Sequence, residues 1–105
     1  MIELQIRLLG GLEVALGNMP LTQFISNKVP ALLAYLAVET RPHSRDTLAT
    51  LFWGDMPDAD AKNNLRQALS NLRKLLEPHL NISRDTVEFN TATPCLLDVA
   101  QFDRL

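Results

Sequence analysis

The chain has one cysteine, Cys95, and no CxxC pair or Cys/His cluster, so it offers neither an internal disulfide nor a cysteine-held zinc site, and a reducing cytoplasm is the expected setting. No run of residues approaches the roughly 20 apolar positions of a membrane-spanning helix. "MIELQIRLLGG" alternates charged and apolar residues, which is not the pattern of a basic leader followed by an apolar block. Internal repeats and low-complexity linkers are also missing. The formal net charge of −2 argues against a protein that coats nucleic acid through bulk positive potential, although it says nothing about where the charges sit. What is present is a length of 105 residues, 47% of them hydrophobic, which is enough for one small domain with its own core.

Ile2, Leu4, Ile6 and Leu8 alternate with Glu3, Gln5 and Arg7, the period-two pattern of a half-buried strand, and Gly10-Gly11 permits a turn into a second strand at "LEVAL". "GNMPL" predicts another turn, with Leu21 to Ile25 as a short third strand. "NKVPALLAYLAVE" then places Val29, Leu32, Leu33, Leu36 and Ala37 at helical spacing, with Ser26 or Asn27 as cap and Pro30 in the first turn. Ser44 can cap a second, short helix, "RDTLATLFW", whose expected apolar face is Leu48, Leu51 and Phe52 and which Gly54 ends.

The third helix carries Leu65, Leu69, Leu72 and Leu76 as an apolar stripe, with Asp58 or Asp60 as candidate caps and Pro78 as its stop. "LNISR" and "TVEFN", joined around Arg84-Asp85, predict a hairpin, and "CLL" reads as extended before a helix-like start at Asp98. These elements define an α+β chain.

Catalytic chemistry finds little support. His43 lies in a turn and His79 follows a helix-stopping proline, with no nucleophile motif near either, so both are assigned surface or structural roles. "LLGGLEV" joins two strands and does not open a helix, which makes it a poor phosphate loop. Asp55, Asp58 and Asp60 lack the later Glu and central Gly of an EF-hand. No metal, no cofactor and no enzymatic activity are expected.

Helix three is different. From Ala61 to Leu76 it contains no Asp or Glu, while Lys62, Arg66, Arg73 and Lys74 supply positive charge. Projected at 100° per residue, about one turn per 3.6 residues, Asn63, Gln67, Ser70 and Lys74 fall opposite the leucines, with Arg66 and Arg73 on one flank and Asn64 and Asn71 on the other. Arg, Lys, Asn and Gln are the side chains that match base edges in a major groove. Three helices followed by a hairpin is the order of a winged helix-turn-helix. Accordingly Asn63, Arg66, Gln67, Ser70 and Lys74 are assigned to bases, and Ser44, Arg45, Lys62, Arg73 and Arg84 to phosphates.

"IRLLGGLEV", "KVPALLAYLAV", "SRDTLATLFWGD", "NLRQALSNLRKLL" and "DVAQFDRL" resemble, in order and over nearly the whole chain, the DNA-binding domain of the Streptomyces antibiotic regulatory protein (SARP) family, whose fold is the OmpR/PhoB-type winged helix. The resemblance implies a four-stranded N-terminal antiparallel sheet backing the helices, with the third helix in the major groove of double-stranded DNA and the hairpin at the minor groove. It also implies head-to-tail pairs on direct repeats, and a contact between RNA polymerase and the loop around Asp55 and Met56. Residues 1–97 would be the winged-helix domain of a bacterial transcriptional activator, and 98–105 the start of a following helical activation domain. The wing departs from the family pattern in carrying one cation, Arg84, beside Asp85 and Glu88. The alternative from the same residues is a winged-helix protein-interaction module, used for dimerisation or polymerase docking.

Overall fold

The computed structural model describes residues 3–8 and 11–97. The expected helix-like start at Asp98 and activation-domain residues 98–105 lie outside the described residues, as does Gly10 of the first turn. The elements are β1 (Leu4–Arg7), β2 (Glu13–Leu16), β3 (Met19–Pro20), α1 (Lys28–Val38), β4 (His43–Ser44), α2 (Arg45–Trp53), α3 (Asp58–Leu76), a 3-10 turn (Glu77–His79), β5 (Leu80–Ile82), β6 (Thr86–Phe89) and β7 (Cys95–Leu97). The fold is α+β.

Two sheets flank the helices. One has the order β3-β2-β1-β7, with β7 parallel to β1 (Leu4 beside Cys95, Ile6 beside Leu97) and the other neighbours antiparallel. Its fourth strand therefore comes from the far end of the described chain, whereas the resemblance implied four N-terminal strands. The second sheet has the order β4-β6-β5.

The alternation in β1 works as expected, since Leu4 and Ile6 are buried and Arg7 is exposed. The third strand does not lie at Leu21 to Ile25. It falls two residues earlier, within the predicted turn, because Gly17 takes φ +59° and turns the chain so that Met19 lies opposite Leu16. After Leu21 donates its N–H to Val14 O at 2.9 Å, the chain leaves the sheet toward α1.

Asn27 holds the N-cap position of α1 without a side-chain capping bond, so neither Ser26 nor Asn27 caps through its side chain. Ser44 does cap α2, its Oγ accepting from Thr47 N at 3.1 Å. The buried face of α2 differs from expectation. Leu48, Ala49 and Trp53 are inside and Phe52 packs half-buried against the core as expected, while Leu51 is 54% exposed. The bulky Trp53 indole occupies the inward position one turn after Ala49, which rotates Leu51 toward solvent. Gly54 follows the last residue of this helix, and a Cβ there would collide with the Thr50 carbonyl oxygen, so the position requires glycine.

α3 starts at Asp58, earlier than the apolar stripe required, with Pro57 at the N-cap and Ala61 N–H donating to Pro57 O at 2.9 Å. Asp58 and Asp60 make no capping bond. They stand in the first turn, and Arg73 and Lys74 in the last, where each sign complements the helix dipole. Ala61, Leu65, Ala68, Leu69, Leu72 and Leu76 bury the inner face.

Lys28 joins α1 to the end of α2. Its Nζ donates to Phe52 O at 2.6 Å and lies 5.6 Å from the Trp53 ring centroid, so the ammonium meets an otherwise unpaired carbonyl and an aromatic face together. Replacing Lys28 by Met keeps most of the stem and removes both interactions. The expected loss is about 1–2 kcal/mol of unfolding free energy, measured by urea denaturation.

Candidate nucleic-acid interface

Exposure along α3 separates its polar residues into two groups. Lys62, Asn63, Arg66, Gln67, Ser70, Arg73 and Lys74 are exposed, as the helical projection requires. Asn64 and Asn71 are half-buried and committed to the protein itself. Asn71 Oδ1 accepts from Ile25 N at 2.9 Å and its Nδ2 donates to Gln23 O at 3.2 Å, so one side-chain amide pairs with the backbone of the segment entering α1. Asn64 Nδ2 donates to Asp60 O at 2.8 Å and to Met56 Sδ at 3.4 Å, which ties the α2–α3 turn to the helix. The outward polar stripe is thus narrower than the count of amides indicated.

Three separated segments converge beside the N-terminal half of this stripe. Ser44 and Arg45 at the start of α2, Lys62, Leu65 and Arg66 of α3, and Arg84 and Asp85 at the hairpin tip line one cleft of about 380 Å³, with Asp46 at its edge. Four cations therefore share a small surface with two acids. Lys62 Nζ is 3.7 Å from Asp46 Oδ1, an exposed pair in which both side chains remain well solvated. The sequence spreads these residues over forty positions, and the packing of α2 on α3 together with the β4–β6 pairing gathers them.

The hairpin tip is unusual in its hydrogen bonding. Ser83 N–H donates to Thr86 O at 2.9 Å, but Thr86 N–H turns to Ser83 Oγ at 3.0 Å and leaves Ser83 O outside the strand pairing. Arg45 takes that carbonyl, donating from Nε at 3.0 Å and Nη2 at 2.7 Å, while its own backbone N–H donates to Asp85 O at 3.0 Å. Of the phosphate assignments, Arg45 is thus the one whose guanidinium already grips the protein. Ser44 Oγ likewise donates to Thr47 Oγ1 at 2.7 Å in addition to capping α2.

Arg73 falls elsewhere. It lines a separate groove of about 570 Å³ against the hairpin, in company with Glu77 and Glu88. Ser70 and Lys74 are exposed on α3 but take no part in the cationic cleft. Asp55 and Met56 sit in the short α2–α3 turn; Asp55 is exposed and Met56 is 37% exposed.

The two histidines and the cysteine serve packing. His43 is buried, its Nε2–H donating to Glu39 O at 2.8 Å and its ring 5.2 Å from that of Tyr35. His79 is buried with Nδ1 3.0 Å from Thr93 Oγ1. The sequence places His43 in a turn and His79 after a helix-stopping proline, with a surface or structural role for both; β4 and the 3-10 turn carry them inside, which makes the role structural. Burial, then the nearby Glu3 carboxylate, push the Cys95 thiol from 9.0 up to about 11, which keeps it protonated and a poor nucleophile near neutrality. Among the described residues no group of three or more His, Cys, Asp or Glu side chains converges as a metal site would require, and no helix is long and apolar enough to cross a membrane.

Comparison of the chain with protein-family models, with curated proteins and with solved structures finds no match.

Asn71 belongs to the anchoring side of α3 and not to its outward-facing stripe. Asn71→Ala should lower stability by about 1–2 kcal/mol in urea denaturation, the cost of two partly exposed side-chain hydrogen bonds. If the same variant were as stable as the wild type, the amide would be an outward-facing group after all.

Proposed function

We propose that the chain is a winged helix-turn-helix domain that binds specific double-stranded DNA in a bacterial transcription regulator, with α3 in the major groove and the β5–β6 hairpin as the wing. The observation that carries this reading is the cleft in which the starts of α2 and α3 and the hairpin tip bring Arg45, Lys62, Arg66 and Arg84 together. A duplex presents phosphates on both sides of the groove that a helix enters, so cations flanking a helix that carries no acid from Ala61 to Leu76 suit it where bulk charge does not. Asn63, Arg66, Gln67, Ser70 and Lys74 are the proposed base-facing set, and Ser44, Lys62, Arg73 and Arg84 face phosphates. Arg73 is the weakest member, because Glu77 and Glu88 share its groove. The sequence resemblance to the SARP family supports the same assignment and adds a cytoplasmic setting and pairing on direct repeats.

Arg66→Ala, at a proposed base contact, should weaken binding to a site selected from random DNA by about 1–3 kcal/mol, whereas Lys62→Ala, at a proposed phosphate contact, should weaken specific and non-specific duplexes alike. Fluorescence anisotropy against a salt series measures both. Binding that is insensitive to salt, or equal in wild type and both variants, sinks the reading.

A second surface supports a protein partner. Asp55, Met56, Asp58 and Asp60 are all exposed in and after the α2–α3 turn. Phosphate repels such a tip, so it faces away from the duplex, and RNA polymerase is the proposed partner. Replacing Asp55 and Met56 together by Ala should leave DNA affinity unchanged and lower transcription from a target promoter in the intact regulator. Parallel loss of DNA binding, or unchanged transcription, removes the turn from any activating role. If the domain binds no duplex at all, this surface favours the protein-interaction alternative.

A further inference from the structure

We infer that Arg45 is a positioning residue: it clamps the tip of the β5–β6 hairpin and so sets where Arg84 stands relative to Arg66. The inference rests on the DNA-binding reading for its consequence, and on the hairpin geometry for its cause.

Two-residue hairpin turns favour positive φ at one or both central residues, since the resulting twist matches that of the strands; turns without it splay them. The β2–β3 turn obeys this rule through Gly17 at φ +59°. The Arg84-Asp85 turn does not, because no residue other than glycine has positive φ among the described residues. Its closing pair is correspondingly opened: Thr86 N–H bonds to the Ser83 side chain at 3.0 Å and not to the Ser83 carbonyl. The orphaned carbonyl is the acceptor for two Arg45 donors, and Arg45 N–H holds Asp85 O on the other side of the tip.

A turn of disfavoured hand is thereby held from outside, by the first residue of the helix that packs against α3. The guanidinium suits this task because two donors on one rigid plane, Nε and Nη2, converge on the single Ser83 carbonyl oxygen and fix direction as well as distance, which a lysine ammonium does not. Arg84, between Ser83 and Asp85, then projects from a tip pinned on both flanks. Arg45 acts on DNA through Arg84, not through a phosphate of its own.

The test uses Arg45→Lys, which keeps the charge and loses the fork, together with Arg84→Ala and the double variant. Without DNA, hydrogen exchange at the Ser83 and Thr86 amides should quicken at least about tenfold in Arg45→Lys, while amides in the core of α3 stay protected. On a duplex selected by the wild type, Arg45→Lys should weaken binding about fivefold in the wild-type background and less than about twofold when Arg84 is already Ala, since the two residues act as one unit. The salt slope should stay the same in both backgrounds, the charge being retained.

Unchanged exchange at Ser83 and Thr86 overturns the clamp. Equal fold losses in the two backgrounds overturn its action through Arg84 and make Arg45 a direct contact. Failure of the wild type to bind any duplex removes the DNA-binding reading and the consequence drawn for Arg84, while the exchange result still decides whether Arg45 holds the tip.

Discussion

The burial of one stripe of α3 is the constraint on which the other features depend. Leu65, Leu69, Leu72 and Leu76 are all 3% exposed or less, with Ala61 and Ala68 filling the narrower contacts between them. A helix fixed this firmly about its own axis has no freedom in what it shows to solvent, so its cationic and amide face is set by its leucines. α2 packs against α3, and that approach brings the start of α2 beside Lys62 and Arg66.

Polar side chains finish what apolar packing begins. Lys28 closes the end of α2, Asn71 holds the segment that leads into α1, and Arg45 holds the hairpin. Each supplies a donor or acceptor to backbone groups that irregular chain leaves without partners. No buried side-chain nitrogen or oxygen among the described residues lacks a partner, so the loops are specified by hydrogen bonding where they have too few apolar contacts to specify themselves.

The three helices, the hairpin and the inner face of α3 were legible because each is a periodic pattern, and periodicity reports burial directly. Leu51 was misread since Leu48, Leu51 and Phe52 fit a helical face as well as Leu48, Ala49 and Trp53 do; only the packing of the indole decides between them. The third strand was displaced because a two-residue strand has no period to detect, and the pairing of β7 with β1 had no local signal. In the candidate interface, the cations of α3 could be found from the absence of acids. The double role of Arg45 could not, since it follows from a carbonyl orphaned by a turn nearly forty residues away.

The pairing of β1 with β7 also has a bearing on the order of assembly. Ile6 meets Leu97 in a parallel register, so β1 waits for one of the last described segments before its second edge is covered. Contacts this distant in sequence carry the largest loop-closure cost and form late, after local structure has shortened the effective path. The helices and the β5–β6 hairpin need no such wait. On this fold the nascent chain can assemble the surface proposed to meet DNA before the sheet behind it is complete.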